Sequence, residues 1–122
     1  MIKLNKGHIV NISSMVGILG GDKLSEYCAT KFAVYGFSES LRIELKCLNK
    51  DNKIKVTTVC PFHIKTPMAR NLKFKHLHWL GVTMEPEYAV KKIIHGILLN
   101  KELIYMPRLL AYAFSLLKGY KI

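Results

Sequence analysis

Apolar residues fall in blocks whose spacing changes along the chain. His8 to Ser13 alternates little and is rich in Ile and Val, the pattern of a parallel strand buried on both faces. Met15 to Lys23 carries Gly17, Gly20 and Gly21 and reads as a loop. Ser25 and Glu26 are helix-start residues. From Tyr27 to Cys47 the apolar residues Ala29, Phe32, Ala33, Phe37, Leu41 and Leu45 recur at helical spacing and predict an amphipathic helix. Polar residues from Asn49 to Asn52 end it. Lys55 to Cys60 is a β-branched run stopped by Pro61, a second strand. Phe62 to Gly81 is irregular and carries Lys73, Lys75, His76, His78 and Trp79. Pro86 sits well in the first turn of a helix running to about Asn100, with Ala89, Val90, Ile93, Ile94, Ile97 and Leu98 as its stripe. Leu103 to Met106 is a short third strand, and Arg108 to Lys118 a last helix, apolar on most sides.

The resulting order is β-α-β-loop-α-β-α. Such alternation predicts an α/β fold with parallel strands joined by right-handed crossovers. Three strands are few for a parallel sheet. The first is apolar and uncharged, so further strands are expected beside it.

Composition narrows the class. Half of the 122 residues are hydrophobic, which argues against disorder and allows one domain with a moderate core. Nineteen Lys and Arg against eight acids give a formal net charge of +11, which permits attraction to anionic membranes or nucleic acid. The lysines are spread along the chain, without the Arg-rich or aromatic-interleaved patch of a nucleic-acid binder, so no nucleic-acid partner is expected. Cys28, Cys47 and Cys60 are odd in number and lack Cys-x-x-Cys spacing, which fits reduced thiols on a cytosol-facing protein. No signal peptide is expected. The longest apolar tract, Leu109 to Leu117, is about half of the roughly 20 residues a spanning helix needs. Its helix has two open readings, core or membrane contact, and Tyr105, Tyr112, Tyr120, Lys118 and Lys121 suit an interface.

The candidate chemistry lies in Ser14, Tyr27 and Lys31. Tyr27 follows Ser14 by thirteen positions, and Lys31 follows Tyr27 by four. A phenol, with a pKa of about 10, is a poor base at neutral pH. A lysine one helical turn away shares its face and favours the phenolate. A serine ending an apolar strand can hydrogen-bond the oxygen that the tyrosine protonates or deprotonates. Together they make an acid–base device for carbonyl and alcohol chemistry. Ser13 competes with Ser14 for that role, and spacing favours Ser14. Cys28 has no histidine placed to activate it. His76 and His78 lack Cys or carboxylate partners, so no metal site is expected. No Gly-x-Ser-x-Gly elbow supports a serine hydrolase.

With the strand ending Asn11-Ile12-Ser13-Ser14, the Tyr27-x-x-x-Lys31 helix and the Pro61-x-x-x-x-Thr66 loop, the chain resembles the C-terminal half of a short-chain dehydrogenase/reductase. Val59 to Thr66 and Glu85 to Val90 resemble the branch of epidermal-type retinol dehydrogenases and 17β-hydroxysteroid dehydrogenase 11-like enzymes. The resemblance implies a doubly wound, Rossmann-like fold and hydride transfer with NAD or NADP on a lipophilic alcohol or carbonyl, such as a retinoid, steroid or fatty alcohol. Tyr27 is then the general acid/base, Ser14 orients the substrate oxygen, and Lys31 lowers the Tyr27 pKa and holds the cofactor ribose. Pro61, Phe62, Ile64 and Thr66 line the nicotinamide, although Phe62 stands where many members carry glycine. The apolar, basic stretch from Phe62 to Trp79 is the substrate-covering loop. The resemblance also implies a cytosol-facing protein at the endoplasmic reticulum membrane or a lipid droplet, and the Tyr27–Cys47 helix is a candidate dimer contact.

Against that family pattern, the Gly-rich phosphate turn, the residue selecting NAD or NADP, the Asn-Asn-Ala-Gly segment with its asparagine, and the hydrophobic N-terminal anchor are missing from this sequence. One domain, a partial one spanning 1–122, is expected. The alternative to an enzyme is a non-catalytic remnant or isoform that acts, if at all, by membrane or partner association. By itself the chain is expected to be inactive and prone to aggregate.

Overall fold

The computed structural model describes residues 1–48, 51, 53–67 and 83–119. After a single 3-10 turn, β1 (Gly7–Ile12) leads into α1 (Ser25–Leu48), then β2 (Ile54–Pro61), β3 (His63–Ile64), β4 (Thr83–Met84), α2 (Pro86–Leu98), β5 (Leu103–Met106) and α3 (Arg108–Gly119). β1, β2 and β5 form a parallel sheet in the order β1-β2-β5, with Gly7 opposite Ile54, Ile12 opposite Val59 and Pro61 opposite Met106. This is the α/β architecture that the alternating pattern predicts, and β5 has the expected bounds. The stretch from Phe62 differs in one respect: His63 and Ile64 pair in parallel with Thr83 and Met84, a two-residue ribbon that no local periodicity could mark. His76, His78 and Trp79 lie outside the described residues.

The sheet is covered on both faces because β2 alternates between two cores. Ile54 and Val56 pack with Leu45 and Leu41 of α1, and Cys60 packs with Met15, Ile18 and Ala111 of α3. On the other face Val59 joins Ile104, Met106 and Met84, closed by Ile93 and Ile97 of α2. α1 and α3 therefore share one side and α2 takes the other, as crossovers of one hand require. α2 begins with Pro86 in its first turn, as expected. Gly96 is where α2 comes nearest the sheet, since a Cβ there would collide with Ile104.

The expected apolar stripe of α1 faces inward only toward its C-terminal end, where Leu41 and Leu45 pack on Ile54 and Val56. Ala29, Phe32, Ala33 and Phe37 are exposed, while Cys28, Ser38, Arg42 and Leu45 are buried. The buried set also recurs at helical spacing, and its two polar members, Ser38 and Arg42, find polar partners on the strands. Asn11 Nδ2 donates to Ser38 Oγ at 2.9 Å. The Arg42 guanidinium, in a side chain only 8% exposed, donates to Thr58 Oγ1 at 2.8 Å and to the Glu102 carbonyl at 3.2 Å. Satisfying these groups is what makes their burial tolerable. α3 bears out the core reading on one face and leaves the other exposed. Leu110, Ala111 and Phe114 pack inward, while Leu109, Tyr112 and Leu116 face out.

Candidate active site

Parallel strands gather ligand sites at their C-terminal ends, and the ends of β1 and β2 are where the sequence candidates meet. Ser14 leaves β1 in an extended conformation and caps a 3-10 turn over Met15–Gly17. Its Oγ accepts from Val16 N at 3.3 Å and donates to the Pro61 carbonyl at 3.3 Å. Both bonds are long, so a substrate oxygen can replace them at small cost. Ser14 and Pro61, far apart in sequence, thus meet on adjacent strand ends.

Tyr27 and Lys31 stand one turn apart at the start of α1. The Tyr27 side chain is open to solvent, the residue being 40% exposed. Lys31 Nζ lies 5.5 Å from the Tyr27 ring centroid, cation to π face, and donates to the Ile12 carbonyl at 3.1 Å. The lysine therefore bridges the tyrosine to the end of β1, two residues before Ser14. Two further ammonium protons remain for other acceptors.

Two residues that spacing alone did not single out hold this arrangement. Ser13 Oγ, buried, donates to the Lys31 carbonyl at 2.8 Å and so pins α1 to the strand end. Gly17 passes so close to α1 that a Cβ there would lie 2.6 Å from Ser13 Oγ and 2.7 Å from the Lys31 carbonyl oxygen. No sequence signal marks Ser13 beyond its place beside Ser14, whereas Gly17 stands out only as one of three loop glycines.

The remaining candidates divide. Phe62 N donates to the Met106 carbonyl at 2.8 Å, and its ring meets Phe114 edge to face at 6.1 Å. Ile64 packs into the opposite core with Val59, Met84 and Ile104. Its side chain thus serves packing, and a ligand at the strand ends would meet its backbone. Thr66 is half-buried just beyond β3. Cys28 is buried and its sulfur accepts from Gly21 N at 3.4 Å, a structural contact.

Tyr35 of α1 and Tyr105 of β5, both half-buried, pack against the cluster that holds Met15 and Cys60. Tyr35 and Tyr105 share a hydrogen bond of 2.9 Å, and burial together with that bond raises the Tyr105 pKa. Burial also pushes the Cys60 thiol from 9.0 up to about 11, against the opposing pull of Arg42 and a hydrogen bond with Ser13. The unfolded thiol loses its proton near 9.0 and the folded one near 11. Stability is therefore fully present below pH 9 and falls as the pH rises from 9 to 11, because the unfolded state binds fewer protons there. The urea midpoint is expected to hold from neutral pH to about pH 8.5 and to drop by about pH 10.5. Cys60→Ala should make that drop shallower, and an unchanged slope would remove Cys60 from the account.

The chain is similar to known proteins along most of its length. A family model described as short chain dehydrogenase matches residues 1–76. Short-chain dehydrogenase/reductase family 16C member 6 from Bos taurus is 47% identical over 108 residues, covering 88% of this chain and 34% of that protein. Epidermal retinol dehydrogenase 2 from Homo sapiens is 44% identical over 120 residues, 98% of this chain and 38% of that protein. The chain thus spans about a third of the length of the curated relatives it matches. Among solved structures, a short-chain dehydrogenase from Sphingobium yanoikuyae in complex with NADPH superposes with a TM-score of 0.73 at 26% identity, over 98% of this chain and 45% of that one.

Proposed function

The chain belongs to the short-chain dehydrogenase family, and from that premise we propose that it carries the catalytic residues of an NAD- or NADP-dependent oxidoreductase that interconverts a lipophilic alcohol and its carbonyl. The observation that carries the reading is the joining of Tyr27, through Lys31, to the strand end that bears Ser14.

In the oxidising direction Ser14 Oγ gives up its bond to the Pro61 carbonyl and donates to the substrate oxygen. Tyr27, acting as the phenolate that Lys31 stabilises, takes the hydroxyl proton on Oη and becomes the phenol as the carbinol C–H bond breaks. Bound nicotinamide supplies the acceptor for that hydride, and so for the two electrons. In the reducing direction Tyr27 returns the proton to the oxygen. Lys31 keeps a positive charge beside the Tyr27 ring and stabilises negative charge on the phenol oxygen, with protons to spare for a ribose hydroxyl. Pro61, Phe62, Ile64 and Thr66, at and beyond the end of β2, are the residues that would line the nicotinamide. They fit that group as a largely apolar wall at the strand ends.

Relatives named as retinol dehydrogenases favour a retinoid within the range of retinoid, steroid and fatty alcohol. A lipophilic substrate partitions into lipid, and the working place proposed with it is the endoplasmic reticulum membrane or a lipid droplet. Among the described residues no helix is long and apolar enough to cross a membrane. A second reading, a chain that acts by association instead of turnover, is favoured by the exposed outer face of α1, where Phe37 and Ile43 offer a contact to a second copy.

A chimera separates the two. Residues 1–119 replace the matching segment of human epidermal retinol dehydrogenase 2, and retinol oxidation is followed with each cofactor. Turnover within about tenfold of the unaltered relative is expected, a loss equivalent to roughly 1.4 kcal/mol. A folded, cofactor-binding chimera without turnover would favour the association reading.

A further inference from the structure

We propose that α3 lies on an anionic lipid surface, its outer face in the apolar layer and the basic cleft beside it against the headgroups. α3 spends one face on the core through Leu110, Ala111 and Phe114. Its other face carries Leu109 at 83% exposure, Tyr112 at 61% and Leu116 at 72%. At helical periodicity these three fall in one sector, with exposed Ala113 at its margin. A helix apolar on both faces needs a second apolar layer.

Charge says what that layer is. Arg108 opens α3 and is exposed. It lines a cleft of about 1090 Å³ between α2 and α3, together with Lys92, His95 and Lys101. Glu85 is the acid in that lining, and its carboxylate is paired with Lys65. Tyr88 and Tyr112 stand at the same cleft, with Lys92 Nζ 5.5 Å from the Tyr88 ring centroid. Apolar side chains flanked by aromatic hydroxyls and basic groups match the depth profile of an anionic membrane surface. A second copy of the chain fits less well, because it would bring another +11 against the same basic cleft. Twelve residues make a helix that lies in the surface and does not span it.

The consequence for the site is positional and rests on the reading of a lipophilic substrate. The inner face of α3 packs on Met15 and Ile18, the turn that follows Ser14. A helix held on the lipid surface therefore brings the Ser14 end of the sheet next to the phase in which such a substrate dissolves.

The test uses the 122-residue chain and vesicles of phosphatidylcholine, with and without phosphatidylserine. Flotation with the mixed vesicles is expected, weakening as salt rises. Leu109→Asp with Leu116→Asp should abolish it, and Arg108→Glu should lower affinity about tenfold. All three positions are exposed, so circular dichroism should match the unaltered chain. Equal flotation with both lipids, or flotation that survives the double substitution, overturns the proposal. So does failure of the unaltered chain to float. Binding is read without turnover, so a chimera that oxidises retinol while this chain ignores vesicles would sink the docking surface and leave the catalytic reading standing.

Discussion

Tyr27→Phe in the chimera should lower kcat by about 10²- to 10⁴-fold, the range lost when a positioned acid–base group is removed. The substitution deletes one oxygen. The ring stays, and with it the contact to Lys31 Nζ at 5.5 Å and the start of α1. Tyr27 is exposed enough that no core packing changes, so the urea midpoint should not move. KM for retinol should shift by only a few-fold, because an interaction made in the transition state is lost from kcat and kcat/KM alike. A fall in KM-related binding with kcat intact would assign Tyr27 to substrate binding and leave the proton transfer to another group.

Gly17→Ala should cost both stability and turnover. The added methyl meets backbone, since the Lys31 carbonyl oxygen and carbon lie 2.7 Å and 2.9 Å from its ideal position. Backbone cannot swing aside as a side-chain tip can, so the turn over Met15–Gly17 must lift from α1. Overpacking of this kind costs about 1–3 kcal/mol. It also breaks the Ser13 bond to Lys31 and moves Ser14, which directly precedes the turn. A displacement of about 1 Å in a positioning group can lower turnover about a hundredfold. Gly20→Ala is the control, because a Cβ there meets nothing within 4 Å. Equal urea midpoints for the two variants would show that the turn does not rest on α1 as described.

Much of this was legible in the sequence because strands and chemistry left local marks. Runs rich in Ile, Val and Thr marked β1 and β2, and the spacing of Ser14, Tyr27 and Lys31 picked out residues that the structure gathers around the end of β1. The face of α1 was legible only in part. Counting apolar residues selects Ala29, Phe32, Ala33, Phe37, Leu41 and Leu45. The last two pack on the sheet, but the first four are exposed and the sheet takes Cys28, Ser38 and Arg42 instead. The reason lies across the interface, where Asn11 and Thr58 supply hydrogen bonds that make a polar face buriable. The β3–β4 ribbon escaped for a similar reason, its two-residue strands existing only through a partner some twenty residues away. Ser13 and Gly17 matter through the path of α1 past β1, which no motif encodes.

The central claim is that Ser14, Tyr27 and Lys31 work as one device, and a double-mutant cycle in the chimera measures it directly. Single-turnover retinol oxidation is compared for Ser14→Ala, Tyr27→Phe and the two together, with Lys31→Met paired to each in turn. Residues that act as a unit are strongly non-additive. Each pair is therefore expected to lose about as much as its more damaging single substitution. Losses that multiply across every pair would mean three independent contributions, and would contradict the account.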